Sequence, residues 1–190
     1  PLARVVRRLD ALVTQGTTGG SATSRMIGRS TDGQVTVSSQ AFGGNGGALS
    51  GPGATGGAGG AATAWAHGSS TNGDVRALAN QVGGNGGTGS AGANGGAGAS
   101  SNVSNAVSGS TSGTLYLVQT AYGGNGGDAA SGYSGTGGNA SSSLILNDTQ
   151  ARSVDVSLAA TGGKTGNIFS SVAVWSKGDS GYRRGIVLGP

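Results

Sequence analysis

The chain has 190 residues, of which 43 are glycine, 4% are aromatic and 9% are charged. So few large apolar side chains cannot fill a conventional globular core, and stability must come from another source. There is no cysteine, which excludes disulfides and thiolate metal sites. The formal net charge is +4, but the basic excess lies near the two ends, so no continuous basic surface for nucleic acid is predicted. No apolar run reaches the length of a membrane span.

Residues 1–20 combine an apolar alternation with the basic residues Arg4, Arg7 and Arg8. This pattern is typical of a segment that caps the fold or is donated as a strand to a neighbouring subunit, and a frayed terminal arm is the alternative. The chain begins at Pro1 instead of methionine, which indicates a processed product or a part of something longer.

Two markers return in constant phase along the chain. The sequence Gly-Gly-Asn-Gly-Gly occurs three times, 40 residues apart, and each copy is preceded by Ser-Thr-x-Gly at the same distance. The glycines of the first marker are Gly43, Gly44, Gly46, Gly47, Gly83, Gly84, Gly86, Gly87, Gly123, Gly124, Gly126 and Gly127. The spacing predicts three full repeats and one degenerate repeat over residues 21–161, closed by capping strands in 162–190.

Each repeat begins with two predicted strands around a tight turn. Asp32-Gly33 and its counterparts favour turns, and we expect Gly33, Gly73 and Gly113 to adopt positive φ in β-hairpins. The return strand alternates apolar residues, which indicates one buried face, and the small residues of the outgoing strand indicate a close neighbour. The larger residue that ends each return strand is interpreted as a recurring plug; these are Phe42, Val82 and Tyr122.

The glycine blocks have a local triplet rhythm, which is the period of polyproline II. Glycine lacks a Cβ, so several such segments can approach closely enough to exchange backbone hydrogen bonds. The predicted fold class is therefore an all-β repeat protein of stacked β-hairpins with a polyglycine II-like layer, and a β-solenoid with two coils per repeat is the alternative arrangement.

Motifs that would carry chemistry are incomplete in this chain. Gly162-Gly163-Lys164-Thr165 resembles the end of a P-loop, but Leu158 stands where the upstream glycine belongs. His67 is the only histidine and occupies an apolar repeat position, so no triad or zinc cluster is predicted. Gly123 to Asp128 matches only the start of a calcium-binding nonapeptide. We expect no enzyme activity, no cofactor and no metal.

Alternation of Gly-Gly-Asn-Gly-Gly or Gly-Gly-Ala-Gly-Gly with Ala/Ser/Thr/Val strands, from about Gly19 to Gly166, resembles the glycine-rich repeat regions of secreted or surface-exposed bacterial proteins. The triplets are also similar to the polyglycine layers of some phage tail-tip adhesins and springtail antifreeze proteins. The resemblance implies an extracellular or cell-surface structural or adhesive role. Ice binding is a lesser alternative, because no regular threonine ladder recurs.

Two classes of function remain open. The first is a subunit that assembles into or extends an extracellular fibre, as a homo-oligomer or filament, through ends that carry Arg4, Arg7, Arg8, Arg183 and Arg184. The second is an adhesin-type module in which Trp65, Tyr133 or Asn-rich loops bind a glycan or a cell surface.

Overall fold

The computed structural model describes residues 14–164, together with the backbone of residues 168–175 and 182–186. The described chain is all β, with parallel strands stacked as a solenoid of about four turns. The strands are β1 (Ala22–Ser30), β2 (Val35–Phe42), β3 (Leu49–Ser50), β4 (Ala62–Ser70), β5 (Val75–Val82), β6 (Gly89–Ser90), β7 (Ser101–Ser104), β8 (Val107–Ser110), β9 (Thr114–Tyr122), β10 (Ala140–Asn147), β11 (Ser153–Thr161), β12 (Ile168–Trp175) and β13 (Tyr182–Ile186).

Each full coil contains two strands followed by two extended glycine-rich segments. The first strands of successive coils (β1, β4, β7 with β8, β10 and β12) form what we call the first sheet, and the second strands (β2, β5, β9, β11 and β13) form the second sheet. The glycine-rich segment after the second strand is arm A, at residues 43–48, 83–88, 123–128 and 162–164. The returning segment is arm B, at residues 15–21, 55–61, 94–100 and 133–139.

Strands pair only with their counterparts in the neighbouring coils, and every described strand pair is parallel. In the second sheet, for example, Val35 pairs with Val75, and Val75 pairs with Leu115. The predicted all-β repeat fold with a glycine layer is confirmed, and the solenoid is the arrangement found. The two strands of one coil do not pair as a β-hairpin, and each 40-residue step forms one coil instead of two.

The core lies between the two sheets and is made by the inward residues of both. Leu115, Leu117 and Leu158 of the second sheet are fully buried. They face small residues of the first sheet, such as Ala64 and Ala66, which let the two layers approach closely. The predicted buried face of the return strand and the predicted close neighbour of the outgoing strand are both confirmed.

The predicted plug at the strand end is wrong. Phe42 is 58% exposed and Tyr122 is 41% exposed. Because Ala41 and Ala121 are buried, the alternation of side chains along a strand places the next residue on the outside of the second sheet. Phe42, Val82 and Tyr122 therefore form an outer row along the solenoid.

The first sheet is interrupted in the third coil by a bulge between β7 and β8. Asn105 has a φ of 50° there, and the buried side chain of Gln119 fills the break. Its Oε1 accepts the N–H of Ala106 (2.8 Å), and its Nε2 donates to Val103 O (3.1 Å) and Ser143 O (3.0 Å). One glutamine thus satisfies backbone groups that the interrupted ladder leaves inside the core.

Candidate functional site

The glycine arms form a second layer that is held by backbone hydrogen bonds. Along one row of arms, Gly46 N–H donates to Asn85 O (2.9 Å) and Gly56 N–H donates to Asn94 O (2.8 Å). Between the rows, Gly57 N–H donates to Gly47 O and Gly87 N–H donates to Gly57 O, both at 2.8 Å. Each arm therefore bonds to the same arm in the next coil and to the opposite row.

The bonding has a period of three residues, as a polyglycine II helix requires. In arm B, Gly56 and Gly59 donate to the next coil, and Gly57 and Gly60 donate to arm A. Ala58 and the other third residues face outward. All twelve glycines predicted for the layer lie in arm A, and the layer already includes Gly16 and Gly19, which donate to Thr55 O and Ala58 O at 2.8 Å.

Close packing of the arms requires glycine. A Cβ on Gly84 would lie 2.0 Å from Gly44 O, and one on Gly46 would lie 1.9 Å from Gly57 O. Both contacts are with backbone atoms, which cannot move without breaking the layer. A Cβ on Gly20, by contrast, would meet nothing within 4 Å.

The central asparagine of each Gly-Gly-Asn-Gly-Gly faces outward and bonds along the solenoid. Asn45 Oδ1 accepts the N–H of Asn85 (3.0 Å), and Asn85 Oδ1 accepts the N–H of Asn125 (2.8 Å). Asn125 Oδ1 accepts the N–H of Lys164 (3.0 Å). The segment that resembles a P-loop therefore begins as the fourth arm A, with Lys164 in the asparagine position.

Gly33, Gly73 and Gly113 lie in the turns between the first and second strands, as predicted, but the reason for glycine differs from the prediction. None of the three has φ in the left-handed region. A Cβ on Gly73 would lie 2.3 Å from Gly33 O, so the close stacking of one turn on the next requires glycine there. The expectation of positive φ is wrong because these turns do not join antiparallel strands.

The serine of Ser-Thr-x-Gly closes the turn and joins it to the preceding coil. Ser70 Oγ accepts the N–H of Gly73 (3.0 Å) and donates to Gly33 O (2.9 Å). In the third coil, Thr111 takes this role, because its Oγ1 donates to Gly73 O and accepts the N–H of Gly113. The motif is therefore shifted by one residue in that coil.

Both sheets have an edge at the start of the described chain. β1 and β2 pair on one side only, with β4 and β5. Met26 pairs with Ala66, yet Met26 is 46% exposed whereas Ala66 is fully buried. The difference shows that the inward face of the first coil is less covered than that of the second coil.

The outer face of the first sheet carries a cluster of Arg25, Trp65 and His67. The Arg25 guanidinium carbon lies 4.6 Å from the centroid of the Trp65 ring, and the rings of Trp65 and His67 stack at 5.8 Å with 9° between their planes. His67 Nδ1 lies 2.9 Å from Ser108 Oγ. The bulge makes Ser108, and not Val107, the partner of His67. The sequence analysis missed Arg25, although its place 40 residues before Trp65 was a signal.

Several other predicted residues are not brought together. Arg4, Arg7 and Arg8 lie outside the described residues, and Arg183 and Arg184 lie in β13, paired through the backbone with Val154 and Asp155. Tyr133 is 85% exposed in a loop near arm B. Within the described part of the chain, no three His, Asp or Glu side chains form a group that could hold a metal ion.

The described residues include no helix that is long and apolar enough to cross a membrane. Comparisons of the chain with protein-family models, with curated proteins and with solved structures found no match.

Proposed function

We propose that the protein is a non-catalytic structural protein of the extracellular surface that assembles end to end into a fibre, or extends one. The observation that carries the proposal is the edge formed by β1 and β2. Sheet edges expose N–H and C=O groups in the spacing that another strand needs. A coil of a second subunit can therefore continue both sheets in the same parallel register.

Parallel stacking supports a filament in preference to a closed dimer. The far edge of the described solenoid, at β12 and β13, has the same strand direction as β1 and β2. Contact between two such different ends is head to tail, and head-to-tail contacts that do not close a ring generate filaments. Charged residues near both ends of the chain, Arg4, Arg7, Arg8, Arg183 and Arg184, are the proposed contributors to this contact.

The backbone identifies positions at which the edge can be blocked without damage to the coil. Ala22 N–H donates to Ala61 O (3.0 Å) and Val35 N–H donates to Asp74 O (2.9 Å), both toward the second coil. Because successive amides of a parallel strand point to opposite sides, the N–H groups of Ile27 and Ser38 point to the open side. Proline at these two positions removes only donors that the coil does not use.

The test is electron microscopy and light scattering of the full chain and of the variant I27P/S38P, with I27T/S38T as the control. We expect polymers from the wild type and the threonine control, and monomers with an intact β-type circular dichroism spectrum from the proline variant. A wild type that stays monomeric at high concentration, or a proline variant that forms normal polymers, contradicts the proposal.

A second candidate function is an adhesin-type module that binds a glycan or a cell surface. The observation in its favour is the cluster of Arg25, Trp65 and His67 on the outer face of the first sheet. This face lies along the side of the solenoid, away from its ends. A fibre subunit can therefore also carry the binding function.

A further inference from the structure

A groove of about 510 Å³ lies where the first sheet meets the turns. Its lining consists of seven serine and threonine residues from three successive coils, together with Gln150. Four of the hydroxyls are engaged in the turns, on Ser30, Ser70, Thr111 and Ser112. Those of Ser69, Thr71 and Ser110 make no hydrogen bond within the described part of the chain. They are therefore free to bind a polyhydroxylated ligand.

The groove continues into the cluster of Arg25, Trp65 and His67. Trp65, His67 and Ser69 occupy successive outward positions of β4, because the residues between them are buried. At about 3.3 Å per residue, the distance from Trp65 to Ser69 is about 13 Å. The cluster and the groove thus form one strip, long enough for an oligosaccharide and too long for a single sugar ring.

The charge of this strip is positive. Arg25 and Arg29 are exposed on outward positions of β1, and Arg29 pairs with Ser69 at the groove. No described strand of the first sheet contains an acidic residue. The nearest acids in sequence, Asp32 and Asp148, lie in turns, where they accept hydrogen bonds from Asn72 and Ala151.

The aromatic rings restrict the position of one cation. The guanidinium of Arg25 lies over the Trp65 ring, which itself stacks on His67. Such stacking limits the freedom of the arginine while leaving its N–H groups available, and a guanidinium matches the geometry of carboxylate and sulfate oxygens. The strip therefore offers a positioned donor for an anionic group and free hydroxyls for sugar hydroxyls.

We propose that this strip, from Arg25 and Trp65 through His67 to the groove at Ser69 and Ser110, binds an oligosaccharide that carries carboxylate or sulfate groups. The proposal rests on the second candidate function and names its site and ligand class. It does not depend on fibre assembly.

The test is isothermal titration calorimetry of the full chain with an oligouronate, a sulfated heparin oligosaccharide, a neutral oligoglucoside and a single-stranded oligonucleotide of equal charge. The variants are R25Q/R29Q and W65L. R76Q is the matched control, because Arg76 is an exposed arginine on the outer face of the second sheet.

We expect one or both anionic sugars to bind more tightly than the neutral sugar and the oligonucleotide. Affinity should fall roughly tenfold or more in R25Q/R29Q and W65L and stay within about twofold in R76Q. Equal losses in R25Q/R29Q and R76Q, or tighter binding of the oligonucleotide, overturn the site. Binding of neutral sugars alone overturns the anionic ligand class but leaves a glycan-binding module, whereas no binding of any sugar removes both.

Discussion

The two halves of each coil are stabilised in different ways. In the strand half, side chains such as Leu115 and Leu117 are fully buried between two sheets. In the glycine half there are almost no side chains to bury, and each arm is held by backbone hydrogen bonds of 2.7–3.0 Å to its neighbours. A chain with only 4% aromatic residues can therefore form a repeat fold with a small side-chain core.

The difference also determines why neighbouring coils are necessary. Ordering glycine costs more backbone entropy than ordering any other residue. A single arm has no internal hydrogen bond to offset that cost, because polyproline II geometry provides none. The glycine half is thus stable only when coils stack, whereas two strands with a buried face contribute hydrophobic stabilisation within each coil.

The largest expected effect is in the glycine half, at G84A. The added Cβ would lie 2.0 Å from Gly44 O, so the arms must separate and lose hydrogen bonds. We expect a loss of more than about 3 kcal/mol in the free energy of unfolding. The control is G20A, where a Cβ has open space. Similar chemical denaturation midpoints for the two variants would show that close packing of the arms is not what stabilises the layer.

In the strand half, L117A should destabilise by about 3 kcal/mol, because Leu117 is fully buried and its truncation leaves a cavity. Leu78 lies on the outer face of the neighbouring strand β5, so L78A serves as the control with the same substitution. Urea denaturation of both variants measures the comparison. An L78A loss as large as that of L117A would contradict the assignment of the core to the space between the sheets.

An intermediate effect is expected for Q119L, which keeps the side-chain volume but removes the hydrogen bonds at the bulge. Ala106 N–H, Val103 O and Ser143 O would then be left without their partner. We expect a loss of about 2 kcal/mol or more in the free energy of unfolding. The control Q40L changes an exposed glutamine on β2 and should be nearly neutral in thermal denaturation. A neutral Q119L would show that water satisfies the bulge.

The smallest effect is expected for N85A. The substitution removes the acceptor of the Asn125 N–H, but Asn85 and Asn125 are exposed and water can replace the side chain. We expect a loss of about 0.5 kcal/mol. A loss near that of G84A would mean that the asparagine ladder, and not the packing of the arms, determines the stability of the glycine half.

The sequence predicted the repeat, the glycine layer and the buried faces because each leaves a periodic signal. Period two in Val35 and Val37 identified a buried strand face, and the triplets identified the arms. The same alternation also indicated that Phe42 points outward, since Ala41 and Phe42 are adjacent. The prediction of a plug gave more weight to residue size than to position.

The sequence did not determine the pairing of the strands, because alternation is the same in a hairpin and in a parallel stack. It also concealed the bulge. Between the second and third coils the offset is 39 residues in arm B, where Thr55 bridges Asn94, but 41 in the first sheet, where Ala66 pairs with Val107. The two shifts compensate, so the Gly-Gly-Asn-Gly-Gly markers keep a spacing of 40. The partner of His67 was therefore assigned incorrectly.

The most direct test of the account is amide hydrogen exchange along arm B of the first two coils, resolved by NMR. Backbone bonding predicts protection with a period of three: slow exchange at Gly56, Gly57, Gly59 and Gly60, and fast exchange at Ala58, whose N–H makes no hydrogen bond within the described chain. The same pattern should appear in the second coil, with Ala97 fast between Gly96 and Gly98. Uniformly fast exchange across both arms, while the amides of β4 and β5 remain protected, would contradict the claim that backbone hydrogen bonds hold the glycine half together.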